Sequence, residues 1–189
     1  MALPTSWLKV PWRRADRRSH DPYWDFFINT PPADRANTLL DVIRKAPAGN
    51  VFPTRADLHS PEVTASHVKE MARYLGADLV GISRLDEDDA GHPFAIVCAV
   101  RADADPREAA GIGGQVPVQN GLFVTFVLSA WIRELGYRAS MATSLDGARL
   151  AVAAKLGTLD RRGKLVTAEY GTRIHVADVI RTDLPLTAA

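Results

Sequence analysis

The stretch LGTLDRRGKLVTAEYGTR at residues 156–173 combines glycines, cations and hydroxyls at a density that suits ligand binding. Glycines permit positive φ angles and close approach of a ligand to the backbone. Threonines and backbone amides donate hydrogen bonds to phosphate or amide oxygens, cations pair with phosphate, and tyrosine offers a flat face. These residue types predict a cofactor site, although a basic turn between a helix and a strand stays open as the alternative. The residues concerned are Gly157, Gly163, Gly171, Thr158, Thr167, Thr172, Arg161, Arg162, Lys164, Arg173 and Tyr170.

Other catalytic chemistries find little support in the residue types and their spacing. The one cysteine, Cys98, lies inside the apolar run FAIVCAV, which predicts a buried thiol. A single cysteine cannot build an iron–sulfur cluster or a disulfide within the chain. The five histidines share no metal-ligand spacing, so no metal site is predicted. His175 either faces a ligand or lies at the surface of a strand.

Composition excludes several classes of partner and location. The formal net charge is +1, so the chain lacks the basic field that collects nucleic acid. The N-terminal arginines are not followed by an apolar segment, which argues against a secretion signal. The longest apolar stretch, GLFVTFVLSAWI, is too short to span a membrane. We therefore expect a cytoplasmic protein that binds neither nucleic acid nor membrane.

Two regions must position the glycine-rich stretch. Residues 1–59 hold many prolines together with tryptophan, tyrosine and phenylalanine, and predict an extended N-terminal arm with one short helix at 33–44. Because its aromatic side chains need burial, this arm should wrap either the same domain or a second subunit. We predict a homodimer in which each arm lies across the neighbouring subunit. Residues 60–189 form the second predicted domain.

Within this domain the periodicity changes from helical to strand-like several times. A Ser60 cap followed by Pro61 predicts a helix that ends at Gly76. The remaining predictions are strands at 77–85 and 93–100, a long helix at 121–136, a strand at 137–143, a helix at 145–157 and a strand at 172–182.

This order of elements, with the motifs AAKLGTLDRRGKLVTAEYGTR and TDLPL, resembles the corrinoid-binding domain of reductive dehalogenases and epoxyqueuosine reductase. The resemblance covers about residues 60–186. It implies an α+β fold, an α/β sandwich with a nitroreductase-like core of helices packed on a mixed sheet. It also implies cobalamin bound with its lower base displaced, its corrin ring on the glycine-rich stretch, including Leu159. The alternatives are an FMN-binding reductase and a cofactor-free assembly subunit.

The chain departs from the family pattern at several positions. The family has Gly where this chain has Asp160, Asn at Arg162, Leu at Lys164, and usually Pro at Ala168 and Thr172. Family members also continue past TDLPL into a module with two cysteine clusters. The resemblance therefore implies a reductive dehalogenase-like protein without its own iron–sulfur cluster, which acts with a separate electron-transfer protein or as a corrinoid carrier or sensor.

The catalytic acid of the family has no clear equivalent in this chain. The position that would hold an aspartate falls near Met141. Tyr137 and Asp146 are the remaining candidates, against the alternatives that Tyr137 packs in the core and that Asp146 caps the helix after it.

Overall fold

The structure, a computed structural model, describes residues 21–35, 38–85 and 91–189. These residues form helices and an antiparallel sheet, an α+β fold. The helices are α1 (Pro22–Asn29), α2 (Leu39–Lys45), α3 (Pro61–Tyr74), α4 (Val116–Glu134) and α5 (Gly147–Ala153). The strands are β1 (Leu79–Arg84), β2 (Phe94–Arg101), β3 (Ala139–Ala142), β4 (Thr158–Leu159), β5 (Leu165–Val166), β6 (Ile174–Val176) and β7 (Val179–Thr182).

The main sheet has the order β1-β2-β7-β3, and β6 also pairs with β2. Each pairing between the described strands is antiparallel, so the expectation of a mixed sheet is wrong for them. The apolar run of β2 is buried along nearly its whole length. This burial comes from helices and a hairpin on its two faces, which an antiparallel strand accommodates as well as a parallel one.

Two apolar clusters cover the two faces of the sheet. Alternate residues of β2 point to opposite faces, so Ile96 and Cys98 pack with α3 and α4 in the first cluster. Ala95, Val97 and Ala99 pack in the second cluster with α5 and with side chains of the segment at 165–179. The glycine-rich stretch therefore lies on the face of the sheet opposite α3 and α4.

The helix predicted after Ser60 is confirmed. Ser60 Oγ accepts from the backbone N–H of Val63, Pro61 occupies the first helical position, and Gly76 has φ +112°. The long helix α4 begins at Val116, five residues before the predicted start at Gly121. Pro117 lies in its first turn, where the missing N–H costs no hydrogen bond.

The predicted C-terminal strand is divided into β6 and β7. Both strands pair with β2, β6 with its last residues and β7 with its first. The break falls at Ala177 and Asp178, where the Ala177 N–H still donates to the Cys98 carbonyl at 2.9 Å. The short β4–β5 hairpin was not predicted as strands.

The N-terminal region is more helical than expected where it is described. Asp21 accepts from the N–H of Tyr23, and Pro22 opens helix α1. The end of α1 is attached to the same chain, because carbonyls of Phe27 and Ile28 accept from Gly113 (3.0 Å) and Gly111 (2.7 Å). The predicted helix at 33–44 begins at Leu39 rather than Ala33, and prolines and tryptophans of residues 1–20 lie outside the described residues.

None of the described helices has both the length and the apolar composition that a bilayer crossing requires.

Candidate functional site

The first turn of the glycine-rich stretch connects β4 to β5. Asp160 Oδ1 accepts from the backbone N–H groups of Arg162 and Lys164, both at 2.8 Å. These bonds hold the pKa of the Asp160 carboxyl below its ordinary value. Gly163 follows with φ +72°. The aspartate that departs from the family pattern therefore orders this turn through its own side chain.

A second turn closes the stretch between Thr167 and Gly171. Their backbones exchange two hydrogen bonds of 2.9 and 3.0 Å, and Gly171 has φ +57°. The Thr167 hydroxyl accepts from the Tyr170 N–H at 3.1 Å. Thr167 is buried, and Tyr170 packs against the second apolar cluster. Both residues thus stabilise the turn, a role that their side-chain chemistry alone did not reveal.

The three predicted glycines differ in what surrounds them. At Gly163 and Gly171, no heavy atom lies within 4 Å of the position that a Cβ would occupy. Both also have positive φ, which disfavours other residues. At Gly157, a Cβ would overlap the Val166 carbonyl oxygen. Gly163 and Gly171 therefore leave backbone open to a ligand, whereas Gly157 is needed for packing within the hairpin.

Of the four predicted cations, two lie close to carboxylates and two do not. Lys164 Nζ pairs with Asp105 at 3.1 Å, with side chains 18% and 17% exposed. Arg162 contacts Glu108 at 3.5 Å in an exposed pair. Arg161 and Arg173 are exposed, and among the described residues neither pairs with a carboxylate. Thr158, Leu159 and Thr172 are also exposed.

Asp105 and Arg107 were not predicted as part of this region. Hydrogen bonds from Arg107, together with the Lys164 ammonium, hold the pKa of the Asp105 carboxyl well below its usual range. Asp105 lies 59 residues from Lys164 in sequence. Nothing in the local pattern of the loop DADPRE distinguishes this carboxylate from a solvated one.

A cavity of about 280 Å³ lies between this loop, the hairpin turn, β6 and the start of α5. Gly163 and Lys164 are the predicted site residues that line it. His175 lines it as well, and burial lowers the pKa of its imidazole. The described residues contain no cluster of three or more histidines, cysteines or carboxylates that would hold a metal ion.

The two candidate catalytic acids have structural roles. Tyr137 is buried in the first apolar cluster, and the Arg55 guanidinium lies 4.8 Å from its ring centre. Asp146 caps α5 by accepting from the Arg149 N–H at 3.1 Å. These contacts match the packing and capping alternatives. Neither residue lines the cavity beside the glycine-rich stretch.

The TDLPL motif is structural in this chain. Asp183 Oδ1 accepts from the Arg138 N–H at 2.6 Å. The Thr182 hydroxyl donates to the Arg138 carbonyl at 2.7 Å and accepts from the Leu184 N–H at 3.0 Å. Leu184 and Leu186 are buried. The motif therefore fastens the end of β7 to β3 and to the core.

No protein-family model and no curated protein matches the chain, whereas solved structures do. The catabolic reductive dehalogenase NpRdhA, in complex with 3-bromo-4-hydroxybenzoic acid, is 26% identical with a TM-score of 0.67. The match covers 86% of this chain and 26% of that one. A reductive dehalogenase structure described as suggesting a mechanism for B12-dependent dehalogenation is 27% identical with a TM-score of 0.63, covering 86% and 27%.

Epoxyqueuosine reductase from Bacillus subtilis matches more loosely, at 15% identity and a TM-score of 0.47, over 67% of this chain and 47% of that one. The chain spans about a quarter of the length of the dehalogenases (26% and 27%). The matches to the two reductive dehalogenase structures confirm in three dimensions the similarity that the motifs predicted: the chain is a structural relative of part of these reductive dehalogenases.

Proposed function

We propose that this chain binds cobalamin through its glycine-rich stretch and acts as a reductive dehalogenase-like protein. The observation that carries the proposal is the structural match to dehalogenases, one of them described as B12-dependent, over 86% of the chain. The identity is low, so the residues of this chain have to fit the cofactor on their own chemistry.

The chemistry of the stretch fits the rim of a corrinoid. A corrin ring carries amide side chains and a phosphate-bearing tail, which need hydrogen-bond donors and cations. Gly163 and Gly171 leave backbone open for close approach. Exposed Arg161 and Arg173 supply charge, and exposed Thr172 supplies a hydroxyl. Leu159, also exposed, offers apolar contact to the ring.

Cobalamin, when bound, would supply a reducible cobalt centre for cleavage of a carbon–halogen bond. This chain would bind and orient the cofactor. Cys98 is the one cysteine among the 189 residues. Its pKa is raised to about 12 by burial, so it is an inert thiol. Electrons would therefore come from another protein or from another part of a longer chain.

A corrinoid carrier or sensor would use the same contacts without turnover. An FMN-binding reductase would use the hydroxyls and cations for one phosphate. The visible spectrum of the loaded protein separates the flavin alternative from the two corrinoid functions, because corrinoids and flavins absorb at different wavelengths. A turnover assay with a chemical reductant then separates an enzyme from a carrier or sensor.

The experiment that tests the binding segment is a calorimetric titration with hydroxocobalamin of the full chain and of the double variant Arg161→Ala, Arg173→Ala. Loss of two charge-assisted contacts should weaken binding at least about tenfold. The matched control removes two cations from α3, on the other side of the sheet, in the variant Lys69→Ala, Arg73→Ala. Equal affinity of the two double variants would place the cofactor elsewhere.

A further inference from the structure

Arg133, near the C-terminal end of α4, is a buried cation that forms no ion pair within the described residues. Its side chain is 8% exposed. Its Nη1 donates a hydrogen bond to the Ala139 carbonyl oxygen at 2.9 Å, which uses one of the five N–H donors of the guanidinium. Arginines this deeply buried are normally paired with a carboxylate. Among residues 21–35, 38–85 and 91–189, no carboxylate lies within ion-pair distance of it. Burial lowers the pKa of its guanidinium, and the attraction of the neighbouring Glu134 carboxylate opposes this effect without cancelling it.

A second cavity, of about 170 Å³, lies against this guanidinium. Phe126, Ser129 and Arg133 form one wall, since they recur on one face of α4. Ser140 and Met141 of β3 form another. The chain that follows α2 closes the third side.

The charges around this cavity do not cancel. Arg44 at its edge is bound to Asp178 by two hydrogen bonds of 3.1 and 3.2 Å, so this pair is neutral. Arg133 places one positive charge on the wall, since its exposed neighbour Glu134 does not line the cavity. The Ser140 hydroxyl accepts from Arg181 Nε at 2.9 Å and therefore keeps its own proton for donation. The cavity thus presents donors and a cation to whatever enters it.

We propose that this cavity binds a small carboxylate, with the Arg133 guanidinium as its counter-charge and Ser140 as a second donor. The volume of about 170 Å³ is close to the roughly 150 Å³ of an engineered protein cavity that holds benzene. A single-ring carboxylate therefore fits. Thr143 and Asp178 also line the cavity beside the glycine-rich stretch, so the carboxylate would lie next to the proposed corrinoid site. The proposal itself does not require that a corrinoid binds.

The test uses benzoate and its neutral isostere benzamide as probes for the full chain in isothermal titration. We expect benzoate to bind at least about tenfold more tightly than benzamide, because only benzoate offers a charge to Arg133. The variant Arg133→Gln should remove this preference, whereas the surface control Arg73→Gln should retain it. Equal affinity for benzoate and benzamide in the unaltered chain would overturn the proposal.

Arg133 also holds the Ala139 carbonyl, so Arg133→Gln is checked by circular dichroism. Should it unfold, Ser140→Ala takes its place, and we expect a several-fold loss of benzoate affinity. Unchanged benzoate affinity in a folded variant of either kind would contradict the assignment. A parallel hydroxocobalamin titration separates the two proposals, since loss of one binding event leaves the other measurable.

Discussion

At the scale of single residues, the contacts that each cation of the glycine-rich stretch makes decide whether a ligand can bind to that cation. The sequence predicted four equivalent cations between Arg161 and Arg173. Lys164 is instead engaged by Asp105, and Arg162 faces Glu108. Partners this distant in sequence are set by the fold, so spacing alone could not identify them. The exposed Arg161 and Arg173 are the cations that remain for a cofactor.

The Asp105 carboxylate, which is bound by Arg107 and Lys164, predicts a pH-dependent stability. The pKa of Asp105 is lower in the folded chain than its unfolded value of about 4, so the ionised carboxylate stabilises the fold above that pH. We expect Asp105→Asn to reduce the free energy of unfolding at pH 7 by about 1.5–3 kcal/mol. The difference from the unaltered chain should shrink as the pH falls below about 4, because the unfolded chain then binds a proton at Asp105 that the folded chain does not bind until the pH reaches its lower folded pKa.

Urea unfolding of both proteins at neutral and acid pH measures this difference. The control is Asp103→Asn, since the Asp103 side chain is 60% exposed in its pair with Arg101 and should contribute less than about 1 kcal/mol. An effect of Asp105→Asn that is equally large at neutral pH and at pH 3 would show that the ion pair is not its cause.

At the scale of elements, local periodicity predicted what depends on local sequence. The caps of α3, the core of α4 and the strands β1 and β2 follow from it. The division of β6 from β7 does not, because both pair with β2, a partner more than 70 residues away. The β4–β5 hairpin was likewise not predicted, because its sequence indicated a ligand-binding loop or a basic turn. Its two-residue strands are too short to show an alternation of apolar and polar residues.

The close packing at Gly157 predicts that an added methyl group at this position destabilises the β4–β5 hairpin. A Cβ at Gly157 would overlap the Val166 carbonyl, so Gly157→Ala must push β4 from β5. We expect a loss of about 1–3 kcal/mol in stability, as for other overpacked sites. Hydrogen exchange should accelerate in residues 158–166 but not in β2.

Gly76→Ala is the matched control for the hairpin, because no atom lies within 4 Å of its Cβ position and its strained φ lies at the end of α3. It should lower global stability and leave relative protection of the hairpin unchanged. Unaltered exchange at residues 158–166 in Gly157→Ala would contradict the prediction, because it would mean that the hairpin accepts the added Cβ without separation of its strands.

At the scale of the whole molecule, the family motifs predicted the structural relatives, while the assembly remains a prediction. Helix α1 exposes Tyr23 (68%) and Phe26 (64%), and α3 exposes Tyr74 (87%). Exposed aromatic side chains of this size favour burial against a partner. Periodicity could not show this, since it does not tell which apolar residues the chain itself covers.

We therefore propose a homodimer in which α1 contributes to the interface. Sedimentation velocity of the full chain at micromolar concentration should show a dimer. Tyr23→Ser with Phe26→Ser should shift it towards monomer, whereas Tyr74→Ser, on a different helix, should shift it less. A monomeric unaltered chain would remove the basis for a partner subunit at α1.

The most direct test of the central claim is the visible spectrum of the full chain after incubation with hydroxocobalamin, reduction to the cobalt(II) state and removal of unbound cofactor. We predict that the protein retains the corrinoid and that its spectrum is that of the base-off form, with the lower base displaced from cobalt. A protein fraction without corrinoid absorbance would contradict cobalamin binding itself. A retained corrinoid with the spectrum of the free, base-on cofactor would contradict the proposed base-off binding.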